Sequence, residues 1–244
     1  MSAALSVQSV TAGYDRTMVL RELSLAVNPG QTAVVIGPNG HGKTTLLLAI
    51  SGLLKPSGGT IEFDGRRIDG TAAEALANRG IVHILQGDGL FPDMTVEENL
   101  LLGAFVRGSW RERRTTLRRV YDDLPVVEEK RGQKARTLSG GERRLVGLGR
   151  GMMRPARMLL IDEPSLGLAP VAIDAVYTAI RRLKQESGAT IVLVEENFTH
   201  IGEIADRVHI LEAGKIVRSG SFDDVSTDRT VVETYLGAIV EGGG

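Results

Sequence analysis

Short apolar runs alternate with helical patterns along the middle of the chain. The runs Thr32–Ile36, Arg157–Ile161 and Ala189–Val194 are rich in β-branched and aliphatic residues, which is typical of buried strands. A helix is predicted after the first run, at Lys43–Ser51. Another is predicted between the other two, at Pro170–Glu186, with proline in its first turn and a glycine after its end. Strands that alternate with helices in this way predict an α/β core with a parallel sheet.

The two ends of the chain carry hairpin patterns instead. Asp64-Gly65 and Glu212-Ala213-Gly214 each lie between two short strand patterns, and alternation near the start predicts strands at Leu5–Val10 and Val19–Val27. We therefore expect an antiparallel flank beside the parallel core. The remaining predicted elements are helical: a helix opened by a capping box at Thr71, a helical stretch over Val96–Glu129, and a C-terminal helix near Val231–Ile239.

Composition indicates a globular chain with balanced charge. The 244 residues are 42% hydrophobic and 24% charged, and the formal net charge is −1. These values exclude a disordered chain and argue against a broad basic face for nucleic acid. Cysteine is absent, so neither disulfides nor a thiolate metal site can form. No run has the length of a membrane span and no secretory signal is visible, so we expect an intracellular protein with a single domain over residues 1–244.

Polar or glycine-rich segments follow each of the three buried strands, at the edge of the sheet where ligands bind in such folds. The first segment, Gly37-Pro38-Asn39-Gly40-His41-Gly42-Lys43-Thr44, fits GxxxxGK[ST] between a predicted strand and a predicted helix. Its glycines allow backbone N–H groups to point at a phosphate, and the helix N-terminus adds a positive dipole end. Lys43 would bridge the outer phosphates and the Thr44 hydroxyl would hold Mg²⁺. A nucleoside triphosphate site is predicted; the alternative is a glycine-rich turn with a chance lysine.

Two carboxylates end the second buried strand. Asp162 is expected to support the same Mg²⁺, and Glu163 is placed to polarise a water that attacks the γ-phosphate. The alternative for Glu163 is a carboxylate that its neighbour repels toward solvent.

The segment Leu138-Ser139-Gly140-Gly141-Glu142 has two compatible interpretations. Ser139 and Glu142 form a capping box, which predicts a helix start. A capped helix start with two glycines would also cradle a second phosphate.

The motifs GPNGHGKTT, LSGGE and LLIDEP resemble, in order and spacing, those of the ATP-binding-cassette (ABC) ATPases. The resemblance covers nearly the whole chain. It implies a P-loop NTPase fold with a RecA-like parallel-sheet core, an antiparallel β flank, and a helical lobe at about 96–150 between the Q-loop and the Walker B strand. It also implies ATP and Mg²⁺ as cofactors, ATP hydrolysis as the activity, and a head-to-tail dimer with an identical or homologous ATPase.

The resemblance also implies roles for single residues. Tyr14 would stack on adenine, with edge-strand packing as the alternative, and Gln86 would sense Mg²⁺, with an ordinary loop residue as the alternative. The signature residues Ser139, Gly140 and Gly141 would contact the γ-phosphate of the ATP held by the opposite subunit. Glu163 is the expected catalytic residue, and Thr44, Gln86 and Asp162 are the expected metal residues. The expected nucleotide-binding residues are Tyr14, Gly37, Pro38, Asn39, Gly40, His41, Gly42, Lys43, Thr44, Thr45, Gln86, Ser139, Gly140, Gly141, Glu142 and Glu196.

Two positions depart from the family pattern. Ala169 stands where many members have an aspartate, and Glu196 stands where a switch histidine is usual. A carboxylate close to a γ-phosphate would be repelled, so we expect Glu196 to turn away from the nucleotide. The alternatives are that it is protonated, that it acts through water, or that His200 replaces the histidine.

The runs Glu163–Pro170, Leu90–Asn99 and Val194–Asn197 resemble importer ATPases for branched-chain amino acids, whose relatives serve urea and short amides. This implies a subunit on the inner face of the cell membrane that energises uptake through a separate permease, with a solute-binding protein as an indirect partner. The alternatives are an exporter or lipid-extraction ATPase, or a soluble non-transport cassette.

An arginine-rich stretch and two histidines remain beside these motifs. The arginines of 111–119 predict a solvated helix face, or contact with acidic lipid or an acidic membrane partner. His41 and His209 lack metal-ligand spacing and are expected to be structural.

Overall fold

Residues 4–87, 89–105, 109–196, 198–228 and 231 are described by a computed structural model, and they divide into two units. The first unit joins residues up to 72 with those from 190 onward, and the second comprises residues 73–189.

The first unit contains an antiparallel sheet and a set of mainly parallel strands. Its elements are β1 (Leu5–Tyr14), β2 (Thr17–Val27), β3 (Thr32–Ile36), α1 (Lys43–Ile50), β4 (Gly58–Phe63), β5 (Arg66–Arg67), β8 (Thr190–Glu195), β9 (Arg207–Glu212), β10 (Lys215–Gly220) and α8 (Phe222–Ser226). The antiparallel sheet has the order β2-β1-β4-β5, and the other strands lie in the order β10-β9-β3-β8. The predicted antiparallel flank is therefore present, with β1 extending four residues beyond Val10 to Tyr14.

The central strand β3 is the core of this unit. Every residue of β3 and of β8 is buried, and both β8 and β9 pair with β3 in parallel. In this register Val35 lies opposite Val194 on one side and His209 on the other. Because these parallel strands end at the same edge, residues that follow β3 and β8 are brought together there.

The second unit combines two parallel strands with the helices. Its elements are α2 (Ala73–Asn78), β6 (Ile81–Ile84), α3 (Val96–Gly103), α4 (Ser109–Asp123), α5 (Pro125–Glu129), a 3₁₀ turn (Ala135–Thr137), α6 (Gly140–Met152), β7 (Met158–Asp162) and α7 (Pro170–Ser187). Strand β6 pairs with β7, so that Ile84 lies opposite Ile161. The sequence pattern does not predict β6, because this strand is short and follows directly on the turn that ends α2.

The predicted helical stretch over Val96–Glu129 is three helices rather than one. Helix α4 ends at Asp123 because Pro125, the first residue of α5, lacks an N–H to continue the ladder. Residues 106–108, between α3 and α4, lie outside the described part of the chain. The predicted C-terminal helix near Val231–Ile239 also lies outside it, except for Val231. Within the described ranges, no helix is both long and apolar enough to cross a bilayer.

Candidate functional site

The glycine-rich segment 37–42 joins β3 to α1, and hydrogen bonds fix both of its ends. The Gly37 N–H donates to the carbonyl oxygen of Glu195 at the end of β8 (3.3 Å), and the Gly214 N–H donates to the His41 carbonyl oxygen (3.2 Å). Nδ1 of His41 also accepts from the Ala213 N–H (3.3 Å), in agreement with a structural role for this residue. Gly42, the N-cap of α1, has φ 111°, which a residue with a side chain rarely adopts.

Lys43 is the buried cation of this loop. Its Nζ donates to the carbonyl oxygens of Gly37 (2.7 Å) and Pro38 (3.2 Å), and lies 3.4 Å from Oδ1 of Asn39. Only 3% of the residue is exposed. Since α1 begins at Lys43, the positive end of the helix dipole lies at this loop. The loop is therefore a concave site with positive potential, suited to bind a phosphate chain.

Tyr14 and Thr45 lie beside the first turn of α1. The Tyr14 hydroxyl is 3.5 Å from Oγ1 of Thr45, and 47% of Tyr14 is exposed. Strand β1 lies between β2 and β4 and is therefore not an edge strand, and the stacking of Tyr14 on adenine stays a prediction. The half-buried Thr44 is in the same turn.

In the second unit, Asp162 is the last residue of strand β7 and Glu163 follows it; both are buried, at 1% and 3% exposure. Nε2 of Gln86 donates to Oε2 of Glu163 (2.8 Å). The alternative that Glu163 turns toward solvent is therefore wrong. The contact exists because Gln86 follows β6 and Glu163 follows β7, and these parallel strands end side by side. Without β6 in the prediction, the sequence could not indicate this pair.

The backbone of Glu163 is strained. Its φ is +42°, in the left-handed region, which costs an L-residue about 1–2 kcal/mol. The Leu166 N–H donates to the Glu163 carbonyl oxygen (3.3 Å) and closes a turn around this position. Strain held at a buried carboxylate is common where a side chain has a defined chemical task.

The segment 139–142 begins helix α6, and the predicted capping box is confirmed. Oγ of Ser139 accepts from the Glu142 N–H (3.3 Å), and Oε2 of Glu142 accepts from the Ser139 N–H (2.8 Å). This last bond, together with Lys130, holds the pKa of the Glu142 carboxyl below its usual value. A Cβ on Gly141 would lie 2.5 Å from that of Ala172, so close packing on α7 requires glycine there. Ser139 and Gly140 are exposed, and their contact with a second phosphate stays a prediction.

Glu196 contacts the phosphate loop, and its orientation toward a bound nucleotide stays a prediction. Its Oε1 accepts a hydrogen bond from Nδ2 of Asn39 (3.2 Å). Both residues are exposed, and they lie where the segments after β3 and β8 meet. The pattern of single residues carries no signal for this contact, because it depends on the strand order.

A buried asparagine that the motif analysis does not use orders the loop before α3. Asn99 accepts from the Phe91 N–H (2.8 Å), and its amide group donates to the carbonyl oxygens of Phe91 (3.1 Å) and Thr95 (2.9 Å). The capping box formed by Thr95 and Glu98 begins the helix that carries it. The sequence signal for this motif is T-x-x-E followed by a polar residue in an apolar stretch.

One chain thus contains a phosphate-binding type of loop at residues 37–42, the strained and buried carboxylate of Glu163, and a helix start at residues 139–142 with a capping box and two glycines. The family model described as ABC transporter matches residues 20–166. The chain is an ATPase of the ABC transporter family. Its strands and helices are those of the P-loop NTPase fold that the resemblance implies.

This ABC ATPase is similar to curated proteins of several transport systems. It is 34% identical over 233 residues to the high-affinity branched-chain amino acid transport ATP-binding protein BraG of Pseudomonas aeruginosa, which covers 96% of this chain and 99% of that protein. It is 30% identical over 237 residues to the lipopolysaccharide export system ATP-binding protein LptB of Haemophilus influenzae. This match covers 96% of this chain and 97% of that protein.

Among solved structures, the ABC ATPase is similar to an ATP-binding cassette of an ABC transporter in its ADP conformation. The TM-score is 0.85 at 28% identity, over 97% of this chain and 100% of that one. A dimeric cassette in a post-hydrolysis state, bound to ADP and phosphate, gives a TM-score of 0.79 at 25% identity. This match covers 89% of this chain and 98% of that one. The ABC ATPase therefore has the fold of cassettes that bind nucleotide.

Proposed function

We propose that this ABC ATPase binds Mg-ATP and hydrolyses it to energise solute uptake through a separate permease. The observation that carries the proposal is the phosphate loop itself, with its buried Lys43 held among carbonyl oxygens at the start of α1. A buried ammonium beside a helix N-terminus favours a polyanion over any neutral ligand. On this basis the loop residues 37–45 bind the phosphates, and Tyr14 stacks on the adenine.

The chain also offers groups that fit a magnesium ion. Mg²⁺ prefers oxygen ligands, and the half-buried hydroxyl of Thr44, the buried carboxylate of Asp162 and the Gln86 amide supply oxygen atoms. When bound, the ion would neutralise charge on the phosphate chain. We infer that Thr44, Gln86 and Asp162 hold it directly or through water.

Glu163 is the proposed general base. It is buried and strained, and the amide of Gln86 fixes its Oε2, so that the carboxylate is oriented before any substrate arrives. An ionised carboxylate can accept the proton of an attacking water while that water bonds to phosphorus.

The proposed complex contains two cassettes and a membrane partner. We infer a head-to-tail dimer with an identical or homologous ATPase, in which Ser139, Gly140, Gly141 and Glu142 contact the γ-phosphate across the interface. The similarity to a cassette that is dimeric with ADP and phosphate supports this arrangement. The protein would then work on the inner face of the cell membrane, with a solute-binding protein as an indirect partner.

A cavity of about 290 Å³ in the second unit is the proposed permease contact. Its lining includes three exposed apolar residues, Leu85, Leu102 and Phe105, and two arginines, Arg150 and Arg154. Exposed apolar side chains with a charged rim are typical of a protein-binding surface. Gln86 directly follows Leu85, so a partner bound here would touch the loop that orients Glu163.

The similarity to BraG favours branched-chain amino acids, or a related amide such as urea, as the solute. Uptake of labelled leucine and of labelled urea by cells that carry the Lys43→Ala allele, compared with the wild type, tests this. We expect uptake of one of them to be lost. Unchanged uptake of both, together with an envelope defect, would favour the second candidate, an export ATPase, which the similarity to LptB supports.

A further inference from the structure

We propose that Glu196 determines how the phosphate loop discriminates between nucleoside triphosphates and diphosphates, with Asn39 holding its carboxylate against the loop. The inference rests on the proposed function, that the loop binds ATP. It concerns a position where the resemblance leads one to expect a histidine and where this chain has a negative charge.

The geometry connects three side chains in series. Oε1 of Glu196 accepts from Nδ2 of Asn39 (3.2 Å), and Oδ1 of Asn39 faces Nζ of Lys43 (3.4 Å). The amide of Asn39 therefore lies between a carboxylate and an ammonium group. Its NH₂ group faces the negative end and its oxygen faces the positive end, which is the orientation that both charges favour.

This contact holds the exposed middle of the loop. The ends of the loop are fixed by main-chain bonds to Glu195 and to the turn between β9 and β10. Asn39 and Gly40 lie between these anchors and are exposed. The side-chain bond from Asn39 thus keeps the Glu196 carboxylate beside the loop, although the carboxylate itself is exposed and would otherwise move freely.

A carboxylate held there repels a negatively charged ligand, and the repulsion grows with the charge of that ligand. Each additional phosphate brings more negative charge toward the loop, and the terminal phosphate of a triphosphate brings the most. Repulsion from Glu196 therefore lowers the affinity for a triphosphate more than that for a diphosphate. Lys43 opposes this effect by attraction, and Asn39 separates the two charges.

The test compares binding of ADP and of a non-hydrolysable β,γ-imido ATP analogue, each with Mg²⁺, by titration calorimetry. Glu196→Gln keeps an oxygen that accepts from Asn39 but removes the charge. We expect the affinity for the analogue relative to ADP to rise about fivefold in this variant, and the rise to shrink at high salt because the effect is electrostatic. A purely structural role would not depend on salt.

Asn39→Ala provides the second variant, since it releases the carboxylate without removing it. We expect the same relative change, smaller in size, and a double variant with Glu196→Gln that matches Glu196→Gln alone, because the charge is then absent whether or not Asn39 holds it. Glu203→Gln, which removes an exposed charge of the same unit, is the matched control and should leave the ratio as in the wild type.

The outcomes separate this inference from the proposed function. If both Glu196→Gln and Asn39→Ala leave the ratio unchanged, while Lys43→Ala abolishes binding, Glu196 does not discriminate and the loop is still the nucleotide site. If the wild type binds neither nucleotide, the proposed function fails and this inference fails with it.

Discussion

Replacing His209 should make the protein less sensitive to acid. His209 lies in the middle of β9, is 3% exposed, and has Nδ1 2.8 Å from Oγ of Ser219. Its Nε2 has no hydrogen-bond partner among the described residues. A protonated ring would need an acceptor at both nitrogens, so burial, together with the positive charge of Arg207, lowers the pKa of His209 to about 4.

The sign and the size of the effect follow from this pKa. The unfolded chain binds a proton at about pH 6.5 and the folded chain only at about pH 4, so the unfolded state takes up more protons between these values. The contribution of His209 to stability is therefore complete above pH 6.5 and is lost as the pH falls through this window. Between pH 7 and pH 5 the loss is about 2 kcal/mol.

Urea unfolding of the wild type and of His209→Asn at pH 7 and pH 5 measures this loss. We expect the free energy of unfolding of the variant to fall by about 2 kcal/mol less than that of the wild type over this range. Titration of all other groups is common to both proteins and cancels. Ser219→Ala, which keeps the histidine, and His200→Asn, which replaces a half-buried one, are controls that should follow the wild type. Equal pH dependence in His209→Asn would refute the reasoning.

Three further predictions concern the nucleotide site and the proposed partner. Glu163→Gln should still bind Mg-ATP but hydrolyse it roughly 10²–10⁴-fold more slowly, because the general base is lost; phosphate release at saturating ATP measures this, and retained turnover would exclude Glu163 as the base. A mixed dimer of Lys43→Ala and Ser139→Arg chains should keep one intact site and bind one ATP analogue per dimer. Binding of two or of none would contradict the head-to-tail arrangement. A single cysteine at Phe105 should crosslink to a reconstituted permease without background, since the chain has no cysteine, and crosslinks only from other faces would contradict the proposed docking cavity.

The elements of the core could be predicted because local patterns determine them. The mostly apolar strand β3 and the glycine–lysine loop after it can be predicted from neighbouring residues alone, and the capping box of Ser139 and Glu142 depends on a spacing within one helical turn. The strand β6 could not be predicted in this way, because four residues after a helix carry little periodicity.

The remaining differences between the sequence-based predictions and the structure are contacts between segments that are distant along the chain. The bond from Gln86 to Glu163 needs β6 and β7 to be neighbours, and the bond from Asn39 to Glu196 needs β3 and β8 to be neighbours. Neither neighbour relation is present in the spacing of residues along the chain. The Asn39 amide, which donates to the Glu196 carboxylate, cannot be inferred from the repulsion between that carboxylate and phosphate.

Trp110, near the start of α4, gives the protein an intrinsic fluorescent probe. Trp110 is the only tryptophan of the chain; its ring meets that of Phe105 edge to face at 5.9 Å, and the guanidinium carbon of Arg113 lies 4.1 Å from the ring centre. Tryptophan emission, excited at a wavelength that tyrosine does not absorb, therefore arises at one place in the second unit, whereas the phosphate loop belongs to the first. A change in this emission on adding nucleotide would be a direct readout of communication between the two units, with no label and no substitution.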